Sequence, residues 1–122
     1  MVENAGPDSS DAPAVLRAHM DAVRSGDPDA MAADYADEAI IERPGQLIEG
    51  RPAIATYFRG VPARLAGGHV HFESVDVHGP DRVTFHWRIE GGPADGTSGS
   101  DLVFLGDGLI TFQRVHLNAL DF

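Results

Sequence analysis

The chain contains neither cysteine nor lysine among its 122 residues. The absence of cysteine excludes disulfides, thiolate nucleophiles and cysteine-ligated metal sites. The absence of lysine excludes Schiff-base catalysis and a lysine general base. All nine basic residues are arginines, which stay protonated at neutral pH. The basic residues can therefore bind or polarise a substrate, but they cannot serve as proton acceptors.

Basic charge and long apolar segments are also scarce. The formal net charge is −10, which opposes binding to nucleic acid or anionic membranes because no basic stripe can displace counterions. No apolar run approaches the length of a membrane span. The N-terminal "MVENAGPDSSDAP" lacks the apolar region of a signal peptide. We therefore expect a cytoplasmic protein with no nucleic-acid or membrane partner.

The length fits one domain, and we expect a flexible tail over residues 1–10 followed by a single domain over residues 11–122. Asp11 can cap a first helix that has Pro13 in its first turn. Its apolar residues fall on one face together with His19. Gly26 is expected to end this helix.

After Gly26, the sequence predicts two further helices with one short strand between them. Asp27 and Pro28 begin a second helix, which we predict to run to about Glu38. A strand over residues 39–43 stops at "PG", and "LIEG" connects it to a third helix that opens at Pro52. Pro62 ends or kinks that helix, although "ARLAG" can add a turn.

The hydrophobic period changes to two after residue 68, which predicts strands joined by the turns "HGPDR", "EGGPADG" and "GDG". The last two strands are expected at residues 97–105 and from residue 109 to about 117. Three helices followed by an antiparallel meander predict an α+β fold, in which a cone-shaped, curved antiparallel sheet wraps around the helices. A largely apolar pocket is expected between the two layers.

Three segments carry a resemblance to a known family. They are "AVRSGDPDAMAADYADEAIIERPGQLIEGRPAIATYF", "VTFHWRIEG" and "GTSGSDLVFLGDGLI". Together they resemble the SnoaL-like polyketide cyclase branch of the ketosteroid-isomerase-like, or nuclear-transport-factor-2-like, superfamily. The resemblance covers nearly everything after residue 12 and implies this cone-shaped, cystatin-like fold. It also implies a homodimer through the outer sheet face, where Phe72, Phe112 or His116 are expected.

The resemblance places three pocket positions of the steroid isomerases on this chain. The helix-one tyrosine position is His19, and the catalytic base position, directly before Pro44, is Arg43. The late aspartate position is Ser100, or Asp101 if the last hairpin is one residue shorter. Because Arg43 cannot shuttle a proton from carbon, the standard steroid isomerase mechanism is not expected.

Each candidate has a functional and a purely structural interpretation. His19 is either a pocket acid–base group or a buried core histidine. Arg43 alternates with Ile41 and should point into the cone, where Asp101 is the expected partner for binding an oxyanion; the alternative is an arginine exposed at the rim. Asp101 is either a pocket acid with a raised pKa or the edge of a strand.

The expected substrate-binding wall consists of aromatic residues with one small polar and one aliphatic neighbour: Tyr35, Tyr57, Phe58, Trp87, Ser100 and Val115. His69 and His71 have zinc-like spacing but no third ligand, so a solvated strand face is favoured and no metal is expected. Arg88 and Glu90 resemble part of the limonene-epoxide-hydrolase set. The third acid of that set falls at Val115, which favours a surface ion pair instead.

These observations favour an acid–base enzyme of the isomerase, cyclase or dehydratase type that acts on an apolar, carbonyl-bearing small molecule. No cofactor is expected, and His19 and Asp101 would exchange protons while Arg43 holds the developing oxyanion. One alternative is a non-catalytic module for small-ligand binding or dimerisation. The other is a limonene-epoxide-hydrolase-like enzyme.

Overall fold

A computed structural model describes residues 13–117, so the predicted tail over residues 1–10 and the Asp11 cap lie outside the described residues. The described residues form four helices and six strands: α1 (Ala14–Ser25), α2 (Pro28–Ala33), β1 (Tyr35–Arg43), β2 (Gln46–Glu49), α3 (Arg51–Arg59), α4 (Val61–Leu65), β3 (His69–Gly79), β4 (Arg82–Glu90), β5 (Ser98–Gly106) and β6 (Leu109–Leu117). Within this range no helix is both long and apolar enough to cross a membrane.

The strands form one six-stranded sheet in the order β2-β1-β6-β5-β4-β3. All neighbours are antiparallel except β1 and β6, which are parallel, so the sheet is mixed rather than purely antiparallel. The helices pack on its concave face, and the fully buried Leu16, Met20 and Ile54 of the helices belong to one hydrophobic core with Val83 and Val103 of the sheet. The predicted α+β cone is confirmed.

The junction between α1 and α2 forms as the capping pattern predicts. Gly26 adopts the left-handed conformation at φ 77°, and its N–H donates to the carbonyls of Ala22 and Val23. The Asp27 side chain then accepts hydrogen bonds from the first turn of α2. Pro13, in contrast, occupies the N-cap position of α1 rather than its first turn.

The predicted extension of the second helix to Glu38 is wrong, because α2 ends at Ala33 and β1 begins at Tyr35. The N–H of Ile110 donates to the carbonyl of Asp34, and Tyr35 pairs with Ile110 on β6. These long-range bonds pull "YADEA" into the sheet and override its local helical propensity.

Two connections also differ from expectation. The segment Gln46–Glu49 forms β2, a hairpin partner of β1, rather than a simple connection. Pro62 lies in the first turn of the separate helix α4, where its missing N–H is tolerated, so it starts a helix as well as ending α3. The four later strands agree with the alternating pattern to within a residue or two.

Candidate active site

A cavity opens between the helices and the concave face of the sheet. Its cavity volume is about 80 Å³, and the whole space between the lining atoms, including the open mouth, is about 660 Å³. Most of the wall is apolar, built by residues such as Met31, Phe58 and Phe85. The polar or amphipathic side chains that reach it are His19, Arg43, Tyr57, Trp87, Asp101 and Gln113.

Asp101 is the carboxyl group of this cavity. Strand alternation on β5 directs it inward, and the residue is only 5% exposed. Trp87 Nε1 donates to its Oδ1 at 2.8 Å, and Gln113 Nε2 donates to its Oδ2 at 2.5 Å. Burial raises the pKa of Asp101 to about 6, although those two hydrogen bonds and the charges of His19 and Arg43 oppose the rise. The carboxyl group therefore titrates close to neutrality.

A directional chain of hydrogen bonds holds Gln113 in place. The fully buried Tyr35 hydroxyl donates to Gln113 Oε1, so the amide nitrogen must face Asp101. Burial, and then the charge of Asp101, raise the pKa of Tyr35 well above its ordinary value, which keeps this hydroxyl protonated. The amide is thereby oriented as a donor to the cavity carboxylate.

His19 reaches the cavity from the middle of α1 and is 3% exposed. Its Nε2 lies 3.4 Å from the Tyr35 hydroxyl, and its Nδ1 lies 3.5 Å from Asp34 Oδ2 at the end of α2. Among the described residues, neither Nδ1 nor that oxygen makes a hydrogen bond of good geometry. His19 is thus buried, on the cavity wall, and positioned between a tyrosine and a carboxylate.

Arg43, the last residue of β1, lies on the cavity wall as its alternation with Ile41 predicted. Its guanidinium carbon is 5.2 Å from the centre of the Tyr57 ring, and that of Arg64 is 5.0 Å from the same centre. Asp101 was the expected partner of Arg43, but its oxygens accept from Trp87 and Gln113 instead. Arg43 acts on Asp101 electrostatically by lowering its pKa.

The other residues predicted to form the substrate-binding wall differ in where their side chains lie. Tyr57, Phe58, Trp87 and Val115 line the cavity, and Tyr35 lies buried behind it. Ser100 pairs with His86 and His116 on the outer face, so Asp101 rather than Ser100 faces inward. This placement disagrees with Ser100 as a substrate-binding residue, because adjacent strand residues point to opposite faces.

Phe72 also departs from its predicted place on the outer face. It shares the inner face of β3 with Val70, lines the cavity, and packs edge-on against Phe85 with ring centres 5.7 Å apart. Phe112 instead packs beside Phe104 at 5.8 Å, with the Arg114 guanidinium over its ring. The homodimer through the outer face stays a prediction.

Gln113 and Asp34 are the site residues that sequence reasoning missed. Gln113 could have been found, because it lies two positions before Val115 on the same strand and therefore shares the inward face. Asp34 could not, because the predicted helix to Glu38 placed it in a helix interior rather than at the C-cap.

The surface clusters noted in the sequence remain on the surface. Arg88 forms ion pairs with Glu73 at 2.9 Å and Glu90 at 3.5 Å, and His71 contacts Glu90 at 2.8 Å. All of these side chains are substantially exposed. Residues 13–117 contain no group of three or more side chains suited to hold a metal ion.

Comparison with known proteins gives one family and a consistent fold. The family model described as a SnoaL-like domain matches residues 16–114. A proposed polyketide cyclase from Sinorhizobium meliloti is 23% identical, with a TM-score of 0.76, covering 89% of this chain and 99% of its own. An NTF2-like protein of unknown function from Mesorhizobium loti is 25% identical, with a TM-score of 0.77, covering 94% and 98%. A proposed isomerase of the SnoaL-like family from Agrobacterium tumefaciens is 20% identical, with a TM-score of 0.71, covering 86% and 95%. No curated protein matches the chain.

Proposed function

We propose, since the chain belongs to the SnoaL-like domain family, that it is an acid–base enzyme that isomerises or cyclises an apolar, carbonyl-bearing small molecule. The observation that carries this proposal is the buried Asp101 carboxyl group, with a pKa of about 6 on the wall of a mostly apolar cavity. A general base is most effective when its pKa is near the working pH. The proposed cyclase and isomerase with the same fold support this reaction class without fixing a substrate.

The proposed first step is proton transfer from carbon. The Asp101 carboxylate takes a proton from the carbon next to the substrate carbonyl, and the electron pair of that C–H bond forms an enolate. Each carboxylate oxygen keeps a lone pair beyond the one used by Trp87 or Gln113, so it can accept this proton. The Arg43 guanidinium stabilises the negative charge that develops on the enolate oxygen.

Two outcomes of the enolate are compatible with the cavity. In an isomerisation, Asp101 returns the proton to a different carbon of the conjugated system. The product then has the same atoms and charge as the substrate, and Asp101 is again a carboxylate. In a cyclisation, the enolate carbon attacks a second carbonyl of the same molecule, and His19 donates a proton to the alkoxide that forms. Asp101 then releases its proton to solvent and His19 takes one up, which restores both groups. His19 is suited to this second transfer because its imidazole lies on the helix side of the same cavity.

A non-catalytic ligand-binding module is the second candidate. Both oxygens of Asp101 already accept hydrogen bonds from the protein, as a carboxylate with a structural role would. In that case the cavity binds apolar ligands, but no proton moves between ligand and protein. The two candidates therefore differ in one measurable event, the exchange of a carbon-bound proton.

Exchange of carbon-bound protons for deuterium in D2O tests this event even when the natural substrate is not known. A panel of cyclic β,γ-unsaturated ketones and aromatic 1,3-dicarbonyl compounds is incubated with the protein in D2O, and loss of the α-proton signal is followed by NMR. The wild-type protein should accelerate exchange for at least one compound, and Asp101→Asn should reduce that acceleration by about 100-fold or more, as expected for loss of a general base.

The matched control is Asp107→Asn, which makes the same chemical change at an exposed turn residue far from the cavity wall. It should exchange at the wild-type rate. Saturable binding of these compounds with no accelerated exchange would favour the binding module. Equal exchange by the wild type and Asp101→Asn would refute Asp101 as the base.

A further inference from the structure

Two adjacent residues, Asp34 and Tyr35, supply the polar neighbours of the two ring nitrogens of His19. Asp34 is the C-cap of α2, and its carbonyl oxygen accepts a hydrogen bond from the N–H of Ile110 at 2.9 Å. Tyr35 pairs with the same residue of β6. Because β6 fixes the backbone of both residues, the Asp34 carboxylate is held next to Nδ1 of the imidazole and the Tyr35 hydroxyl next to Nε2.

The packing of His19 restricts the rotation of its ring. The imidazole meets the Tyr35 ring edge-on, with the ring centres 5.3 Å apart, and its centre lies 5.7 Å from that of the Phe58 ring. Nδ1 is buried from solvent, so it depends on the protein for a hydrogen-bond partner. The Asp34 carboxylate is the group within reach of this nitrogen.

The direction of the neighbouring hydrogen bonds limits where the imidazole proton can lie. The Tyr35 hydroxyl donates its one hydrogen to Gln113 Oε1, so its oxygen can only accept a hydrogen bond from His19 Nε2. The Asp34 carboxylate is also an acceptor, and its Oδ2 lies 3.5 Å from Nδ1. A neutral imidazole therefore has one N–H for two acceptors.

The carboxylate is the stronger acceptor of the two, because a hydrogen bond to a charged group is roughly twice as strong as one between neutral groups. Within residues 13–117, Asp34 Oδ2 and His19 Nδ1 are both buried without another hydrogen-bond partner, so a proton between them satisfies two atoms at once. Their separation of 3.5 Å compares with about 3.0 Å for an ordinary N–H···O bond, and a small side-chain rotation closes this difference.

We propose that Asp34 is a positioning residue for His19, which keeps a proton on Nδ1 and leaves Nε2 as the nitrogen that exchanges a proton with the substrate. The second part rests on the proposed function, in which His19 donates a proton to the alkoxide of a cyclisation. The Nε2–H bond breaks as the O–H bond of the product forms, and Nε2 then takes up a proton from solvent. The Asp34 carboxylate stabilises the imidazolium that precedes each donation.

Nitrogen-15 NMR of the histidine side chains tests this role without a substrate. The chemical shifts of Nδ1 and Nε2 show which nitrogen carries the proton, and His19→Gln identifies the signals of His19 among the six histidines. At pH 8, where free histidine is neutral, Nδ1 of the wild type should carry a proton. In Asp34→Ala the Tyr35 oxygen is the remaining acceptor, so the ratio of the Nδ1–H form to the Nε2–H form should fall at least about 10-fold.

Two further variants separate this effect from general changes in structure. Asp29→Ala removes an exposed carboxylate from the first turn of the same helix, and it should leave the His19 signals unchanged. Tyr35→Phe removes the acceptor next to Nε2 instead, so the proton should stay on Nδ1. Circular dichroism establishes that each variant is folded.

A ligand titration tests the assignment of Nε2 to proton exchange. 2-Naphthol, a flat apolar ring system with one hydroxyl group, is added to the nitrogen-15-labelled wild type. Its hydroxyl group should shift the Nε2 signal of His19, while Nδ1 stays protonated because Asp34 holds its proton. An Nε2 signal that stays unchanged throughout the titration would overturn this assignment.

The outcomes are distinct from those of the exchange assay. An unprotonated Nδ1 in the wild type, or the same ratio of the two forms in the wild type and Asp34→Ala, would overturn the positioning role even if α-proton exchange occurs. None of these spectra depends on turnover. A protein that exchanges no α-protons would therefore refute the enzymatic proposal, while protonation of Nδ1 that depends on Asp34 would still support the positioning role.

Discussion

Asp101→Asn should change how the stability of the domain depends on pH. The wild-type carboxyl group is 5% exposed, and its pKa is raised from 3.8 to about 6, chiefly by burial. Asparagine at the same position has nearly the same shape and does not titrate. The difference in unfolding free energy between the two proteins therefore isolates the ionisation of this one group.

The sign follows from which state binds the proton more tightly. With a folded-state pKa above the unfolded-state value, the folded protein binds the proton more tightly, so protonation stabilises it. That stability is fully present below pH 3.8 and is lost as the pH rises through about 6. A pKa difference of roughly 2 corresponds to about 3 kcal/mol, since each pKa unit is worth about 1.36 kcal/mol.

Urea unfolding of both proteins at closely spaced pH values between 4 and 8 measures the effect. The wild type should lose most of that ~3 kcal/mol relative to Asp101→Asn over this range. The asparagine also carries a penalty independent of pH, because its NH₂ group must face a donor, either Trp87 or Gln113. This penalty shifts the difference in unfolding free energy between the two proteins by the same amount at every pH, so the dependence of that difference on pH is unchanged.

Parallel stability curves for the wild type and Asp101→Asn would refute this reasoning, because they would mean that the Asp101 pKa is the same in the folded and unfolded states. The control is Asp107→Asn in the β5–β6 turn, where the residue is exposed and asparagine tolerates the φ of 53°. Its curve should run parallel to that of the wild type.

Two further substitutions test how the site is packed and hydrogen-bonded. Gly99→Ala should destabilise the domain by ~2 kcal/mol in urea unfolding, since the new Cβ would lie 2.6 Å from both the Trp87 ring and the His116 carbonyl oxygen. The control Gly79→Ala, whose Cβ would meet nothing closer than 3.9 Å, should cost much less. Equal losses in the two variants would show that these close contacts are not the cause. Tyr35→Phe should cost about 1–3 kcal/mol, because Gln113 Oε1 loses its donor inside the protein; an unchanged midpoint would contradict the role given to that hydrogen bond.

The fold could be predicted because its local signals agree with its long-range contacts. Gly26 and Asp27 each favour one backbone conformation at a helix boundary, and the alternating strands expose one face and bury the other. The predicted helix to Glu38 was wrong because there the local sequence signals and the long-range contacts disagree. There, "YADEA" is acceptable in a helix, and only its pairing with β6, more than seventy residues away, makes it a strand.

The candidate site was less predictable than the fold, because its geometry depends on strand register. The choice between Ser100 and Asp101 turned on a single residue of hairpin length, and a shift of one residue reverses every side chain on a strand. The pairing of Arg43 with Asp101 was expected from charge alone. The structure instead gives the carboxylate neutral donors from β4 and β6, which no pattern along β5 could reveal.

The neutral hydrogen-bond donors explain why the pKa of the buried Asp101 carboxyl group lies near 6 rather than higher. Desolvation alone would favour the protonated acid, and a direct ion pair with Arg43 would favour the carboxylate and weaken it as a base. Trp87 and Gln113 stabilise the carboxylate without supplying a full opposing charge, and the resulting pKa of about 6 lies between these extremes. The Arg43 guanidinium lies on the cavity wall beside Tyr57, and the proposed mechanism assigns it the enolate oxygen. In the proposed mechanism, this separation of the arginine from the carboxylate provides a proton acceptor and an oxyanion site in one cavity.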